Sequence, residues 1–144
     1  LFRSFIRLNN KEQWVVVMSP DSPLAKQNYV TSSDLIDVPL ILPRRLNVQS
    51  ELASWFGNDF NKLNILFTSN LSANSSIMVY HKLAYSIIIK GSISLWDQEK
   101  VTYRPLYPEL TASSILAWKR QQPFGLAASK FIEHIKENFA IQEH

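Results

Sequence analysis

Apolar residues in this chain fall into two kinds of stretch. Some are short unbroken runs, and others recur every three or four positions. The run Trp14–Met18, stopped by Ser19 and Pro20, has the length and β-branched content of a buried strand. "PLIL" (Pro39–Leu42), "LNILFTS" (Leu63–Ser69) and "YSIII" (Tyr85–Ile89) repeat that signature, the last closed by a turn at Lys90 and Gly91. Between them the period lengthens. Val48, Leu52, Trp55 and Phe56 are spaced for one helix face, with Asn47 placed to cap its start and Gly57 to end it in the left-handed conformation. Ser72–Ala84 predicts a second helix with Ser72 as cap, and Ser32 or Ser33 caps a short helical turn through Leu35. Residues 14–90 thus alternate strand and helix, which predicts an α/β fold with a mostly parallel sheet covered by helices.

The pattern changes after residue 92. "SISLWDQEKVTYRPLY" reads as irregular chain and a turn, then an extended strand stopped by prolines. Ser113–Arg120 predicts one more strand. "QPFGLAASKFIEHIKENF" is the clearest helix, with Pro123 in its first turn and a stripe formed by Phe124, Ala128, Phe131, Ile132, Ile135 and Phe139.

Composition narrows the function classes. With 144 residues, 46% apolar and 19% charged, the chain can bury a real core. It has no cysteine, which excludes disulfides and thiolate metal sites. A net charge of +3 is compatible with anionic small molecules and is weak evidence for nucleic acid. No run approaches about 18 apolar residues, so no membrane span is expected. The first residues lack both an apolar signal core and a starting Met, so the chain reads as part of something longer. "NLS" at Asn70 and "NSS" at Asn74 are chance sequon matches.

Much chemistry is missing. Gly57, Gly91 and Gly125 are the only glycines and stand isolated, so no dinucleotide fingerprint or P-loop can form. There is no G-x-S-x-G elbow. His81, His134 and His144 are not at metal-ligand spacing, and Glu51, Asp59, Asp97 and Glu99 read as solvated charges. No catalytic residue, metal or cofactor is assigned, and an enzyme is not expected. Trp14, Trp55 and Trp118 lie inside predicted elements, so packing is favoured over base stacking.

One stretch is left without an explanation. In "PLILPRR" two arginines, Arg44 and Arg45, follow directly on a strand end. Ligands of open α/β sheets collect outside the carboxyl ends of the strands, and the amides of a following helix can face an anion. A guanidinium grips a carboxylate or phosphate at two points. The equivalent turn after the next strand holds Thr68, Ser69 and Asn70. An anion pocket and a solvated turn both fit, and spacing alone favours the turn.

The order of these pieces resembles the C-terminal part of the effector-binding domain of LysR-type transcriptional regulators, over nearly the whole chain. "VVVMSPDSPLAK" resembles the family's strand and "D-H-P-L-A" motif, with Ser22 for the usual His. "SSDLIDVPLIL" matches "D-L-x-x-x-P-L-I" at Asp34, Leu35, Pro39, Leu40 and Ile41. "VYHKLAYSIII" resembles "V-x-x-G-L-G-Y", with Lys82 and Ala84 replacing both glycines, which predicts a turn that avoids positive φ. "YRPLYPEL", "ILAWKR" and "ASKFIEHIKENF" resemble the return strands and terminal helix.

The resemblance implies a fold like that of type II periplasmic binding proteins: two α/β subdomains joined by crossing strands, with an effector between them. It implies that residues 14–92 are a complete second subdomain, and that 1–13 and 93–144 are crossing strands and a remnant of the first. The last strand and helix would then expose an apolar stripe or have it covered by a partner. The resemblance assigns the effector to Pro43, Arg44 and Arg45 with Leu46 beside them, to Ser69 and Asn70, and to Ile88 with Ile89. It implies a small effector, a homo-oligomer formed through the helix at 72–83, a cytoplasmic location, no membrane, and DNA contact only through a helix-turn-helix domain absent from this chain. The competing reading is a fragment of a solute-binding protein of the same fold.

Overall fold

A computed structural model of the protein describes residues 3–97, 99–119 and 123–139. The expected strand end at Arg120 and the third histidine, His144, lie outside the described residues. The chain divides into two compact units, Gln13–Leu110 and the pair Leu1–Glu12 with Thr111–His144.

The larger unit is built on strands β1 (Arg3–Met18), β2 (Pro39–Pro43), β3 (Asn64–Ser69), β4 (Tyr85–Ile89) and β5 (Thr102–Pro105), in the order β3-β2-β4-β1-β5. β2 is parallel to both β3 and β4, as the alternation predicts. β1 is antiparallel to β4 and to β5, so the sheet is mixed. The connection from β1 to β2 contains two short 3-10 turns, Pro23–Lys26 and Ser33–Leu35, and no α-helix. The unit extends to Leu110, where β5 pairs with β1 and Trp14 N donates to Leu110 O at 2.9 Å.

Helix α1 (Leu46–Phe56) joins β2 to β3, and α2 (Ser72–Tyr80) joins β3 to β4. These crossovers run in opposite directions along the sheet, so right-handed connections put the helices on opposite faces. Accordingly Val79 of α2 packs with Val15, Val17, Ile88, Ile93 and Val101, a cluster to which α1 contributes nothing. α1 buries Leu52 and Phe56. It starts one residue before the expected cap, and Gly57 ends it at φ 56, as expected.

Three local expectations need correction. Ser32 precedes the 3-10 turn but caps nothing, and the Asp34 carboxylate instead accepts from Thr31 N at 2.8 Å and from its hydroxyl. Burial pushes the Asp34 carboxyl up, but bonds from Thr31 and Gln27 outweigh it and hold the group below the ordinary value. α2 ends at Tyr80, not Ala84, and Lys82 takes a positive φ of 59. The helix closes as a Schellman turn, with Leu83 N donating to Met78 O at 3.0 Å and Lys82 N to Val79 O at 2.9 Å, and that closure requires the left-handed residue whatever its side chain. The strain costs about 1–2 kcal/mol for a non-glycine residue.

β5 is covered along its outer edge. Val30 forms a parallel bridge to Leu106, and the Arg104 guanidinium donates to Gln27 O at 2.6 Å, Tyr103 O at 2.6 Å and Ala25 O. At the other edge β3 is open, with Ile65, Leu66 and Phe67 exposed.

The smaller unit holds β6 (Thr111–Lys119), which pairs with β1, and helix α3 (Leu126–Asn138). α3 begins after Gly125, so Pro123 and Phe124 precede it, because a glycine is better tolerated as a cap than inside a first turn. Of the expected stripe only Ile132 and Ile135 are half-buried, Phe124, Phe131 and Phe139 are exposed, and α3 has no buried residue. β6 alternates exposed and half-buried along its whole length. Phe139 O accepts from Asn9 N at 2.7 Å, and Lys136 Nζ lies over the Trp118 ring at 5.5 Å.

Arg104→Met keeps the aliphatic stem and removes the clamp on residues 25–27. It should lower stability by about 2–3 kcal/mol, read as a shift in the urea midpoint with an unchanged slope.

Candidate functional site

The carboxyl ends of β2, β3 and β4 lie side by side. Pro43 pairs in register with Ser69, and β2 pairs with β4 through Leu40 with Tyr85 and Ile41 with Ser86. Of the residues expected at the effector site, Pro43 and Ser69 share one row, Ile88 lies near the carboxyl end of β4, and Arg44, Arg45 and Asn70 follow directly on the ends of β2 and β3.

Their side chains differ in what they can offer. Arg44 is exposed, its amide donates to Ser69 O at 3.1 Å and its Nε reaches Thr68 Oγ1 at 3.4 Å, which ties the two strand-end turns together. Arg45 is exposed and its guanidinium has no partner among the described residues. Asn70 is likewise exposed and unpartnered among them. Ser69 spends its hydroxyl on its own turn, donating to Leu71 O and accepting from Leu71 N, both at 3.1 Å. Ile88 is buried and its side chain belongs to the apolar cluster under α2, while Ile89 is half-buried. Leu46 is 78% exposed.

Arg45 is also the N-cap of α1, with φ −64 and ψ 124, and no side chain caps the helix. The first turn contains no acidic residue. The free amides and the positive end of the helix dipole therefore meet two cations, Arg44 and Arg45, with no carboxylate partner among the described residues. This is an unfavourable way to start a helix. Ser, Thr, Asp or Asn at the cap is worth about 1 kcal/mol more, and an acidic group near the first turn adds about 0.3–1 kcal/mol. What the arrangement offers is a concentration of N–H donors and positive charge at the strand ends, suited to a small anion. Gln49 steadies it by donating from Nε2 to Pro43 O at 3.0 Å.

Trp14 was read from sequence as core and is only 4% exposed. Its backbone pairs with Ile89, next to Ile88, and its Nε1 is buried without a hydrogen-bond partner among the described residues. No sequence signal marks it, since an apolar run that forms a strand does not show which indole N–H lacks an acceptor. The described aspartates held below their ordinary range, Asp21, Asp34, Asp59 and Asp97, lie in other turns. No cluster of three or more His, Cys, Asp or Glu among the described residues could hold a metal ion, and no described helix is long and apolar enough to cross a membrane. His81 and His134 are both exposed.

Comparison with known proteins fixes the family. The family profile of the LysR substrate binding domain matches residues 6–140. The chain belongs to the LysR substrate-binding domain family. Its fold is the periplasmic-binding-protein-like type II fold. Among solved structures it resembles HinK, a LysR family transcriptional regulator from Pseudomonas aeruginosa, at 21% identity and a TM-score of 0.75, covering 94% of this chain and 47% of that one. The regulatory domain of NMB2055 (MetR), a LysR family regulator from N. meningitidis, aligns at 20% identity and a TM-score of 0.70, covering 94% of this chain and 63% of that one. The Synechocystis PCC6803 CcmR regulatory domain, solved in complex with 2-PG, aligns at 12% identity and a TM-score of 0.71, covering 94% and 66%. The chain therefore spans about half the length of HinK. No curated protein matches by sequence.

Replacing the uncapped arginine with a capping acid should stabilise the fold. Arg45→Asp is expected to raise the unfolding free energy by about 1–2 kcal/mol, through the cap bond and the dipole together, measured by denaturant titration at low salt.

Proposed function

We propose that this chain is the ligand-sensing part of a LysR-type transcriptional regulator and that it recognises a small carboxylate or phosphate at the strand-end rim formed by Pro43, Arg44, Arg45, Ser69 and Asn70. The observation that carries this reading is the start of α1, which has no side-chain cap and two arginines without a carboxylate partner among the described residues. A surface selected only for stability has no use for that arrangement. Ile88 contributes by packing beneath the rim, since its side chain is committed to the apolar cluster.

On this reading the unit at 13–110 is the complete second subdomain, and the flanking segments belong to the first. Effector binding biases the arrangement of the two subdomains and performs no chemistry on the ligand. DNA contact belongs to a helix-turn-helix domain outside this chain, and the protein works in the cytoplasm. The family match favours this over a fragment of a transport protein. That a regulatory domain of the same fold, CcmR, is solved in complex with 2-PG supports the idea of a small effector.

The homo-oligomer is assigned to α2 and the open edge beside it. Ile77 is 57% exposed on α2, Tyr80 and Leu71 are exposed nearby, and β3 adds Ile65, Leu66 and Phe67. Exposed apolar side chains on a helix and on an open strand edge mark a docking surface or an aggregation hazard.

Thermal melting against a panel of small mono- and dicarboxylates and inorganic phosphate tests the effector site. A true ligand at about one hundred times its dissociation constant should raise the melting temperature by roughly 5–10 °C. Arg44→Ala and Arg45→Ala should abolish that shift. Shifts unchanged in both variants would remove the rim from consideration. In sedimentation experiments the parent chain should self-associate and Ile77→Asp should run as a monomer, whereas equal behaviour of the two would move the interface elsewhere.

A further inference from the structure

At the other end of β4 the molecule has a cavity of about 310 Å³, lined by Ser19, Asp21, Ser22, Val79, Lys82, Ala84 and Tyr85. The rim described above lies at Ile88 and Ile89, and Tyr85 begins the same strand four residues earlier, so the two places are roughly 13 Å apart along β4. The cavity belongs wholly to the larger unit.

Its floor and its mouth differ in chemistry. Val79 is fully buried and Ala84 is 4% exposed, which gives a small apolar floor. Ser22 Oγ and Tyr85 Oη hydrogen-bond each other at 2.8 Å on one wall. The Ser19 hydroxyl has no side-chain partner among the described residues. Across the mouth Lys82 Nζ meets Asp21 Oδ2 at 2.6 Å, with the two side chains 63% and 76% exposed. Lys82 holds this position from the left-handed residue of the Schellman turn, so its backbone is fixed and its side chain leaves α2 in one direction.

We propose that this cavity is a binding site for a small zwitterion, a free α-amino acid with a small side chain, whose ammonium replaces Lys82 at Asp21 and whose carboxylate replaces Asp21 at Lys82. An exposed ion pair contributes little, so opening it is easy. A ligand carrying both charges repairs both partners at once and restores an alternating row of charge. A lone anion or a lone cation repairs one and strands the other. The volume is at the low end for ligand pockets and accommodates a free amino acid, its side chain resting on Val79 and Ala84, with Ser19 and Tyr85 in reach of a hydroxyl. Asp21 supports this, since the bond and charge of Lys82 hold its carboxyl below the ordinary range and keep it ionised at neutral pH.

The test is a titration of the ¹⁵N-labelled chain with L-alanine, followed by amide shifts, with acetate and methylamine as singly charged controls. L-alanine should give saturable shifts at Ser19, Lys82, Ala84 and Tyr85, with a dissociation constant of order 1 mM, and neither control should do so. Lys82→Gly relieves the left-handed strain and Asp21→Asn changes an exposed side chain, so both stay folded, and each should weaken L-alanine about tenfold. No saturable shift with L-alanine, an equal response to acetate alone, or wild-type affinity in both variants would overturn the proposal.

Discussion

Residues Trp14–Met18 are the constraint on which the larger unit depends. The segment is paired on both edges, with β4 on one side and β5 on the other, and every residue in it is buried. Val15 and Val17 meet the helix α2 face, and the alternate residues point to the opposite face, as the pleat demands. Shifting this strand by one position would exchange the residues that serve the two faces and disrupt the packing on both. Because β1 continues upstream into its pairing with β6, the same strand also ties the larger unit covalently to the smaller one.

Fixing β1 against β4 fixes where β4 ends, and β4 in turn sets the level at which β2 and β3 end. The strand-end rim is therefore a consequence of register. Arg44 and Arg45 reach it only because Pro43 stops β2 level with Ser69 and α1 begins at once. The helix gains nothing from them, since a cation at an uncapped N-terminus opposes the dipole. Stability is given up at a place where donors and positive charge are gathered, and this local conflict is what an anion site requires.

The two units differ in how far they satisfy their own surfaces. The larger unit has a two-faced sheet with a helix on each side and one edge sealed by Val30 and Arg104. The described part of the smaller unit is a strand pair and one helix with no fully buried residue. A two-stranded arrangement is marginal in water without further strands or packing. The amphipathic pattern of α3 is thus a feature of sequence whose burial depends on contacts beyond these elements.

The sequence by itself determined the elements. Apolar runs and helical spacing marked β2, β4 and α1 within a residue or two, Gly57 marked the end of α1, and "PLILPRR" marked a strand end with charges beyond it, because these signals are local in the chain. Only the tertiary structure decided the rest. It set β1 antiparallel to β4 and to β5, since those partners lie far from it in the sequence. It placed Ile88 in a core and the Arg45 guanidinium in solvent, since which face a strand residue takes depends on the register of its neighbours. It left Trp14 Nε1 without an acceptor among the described residues, and it held Lys82 in a left-handed conformation that its residue type disfavours. In each case the deciding partner is far away in sequence, where periodicity and propensity carry no information.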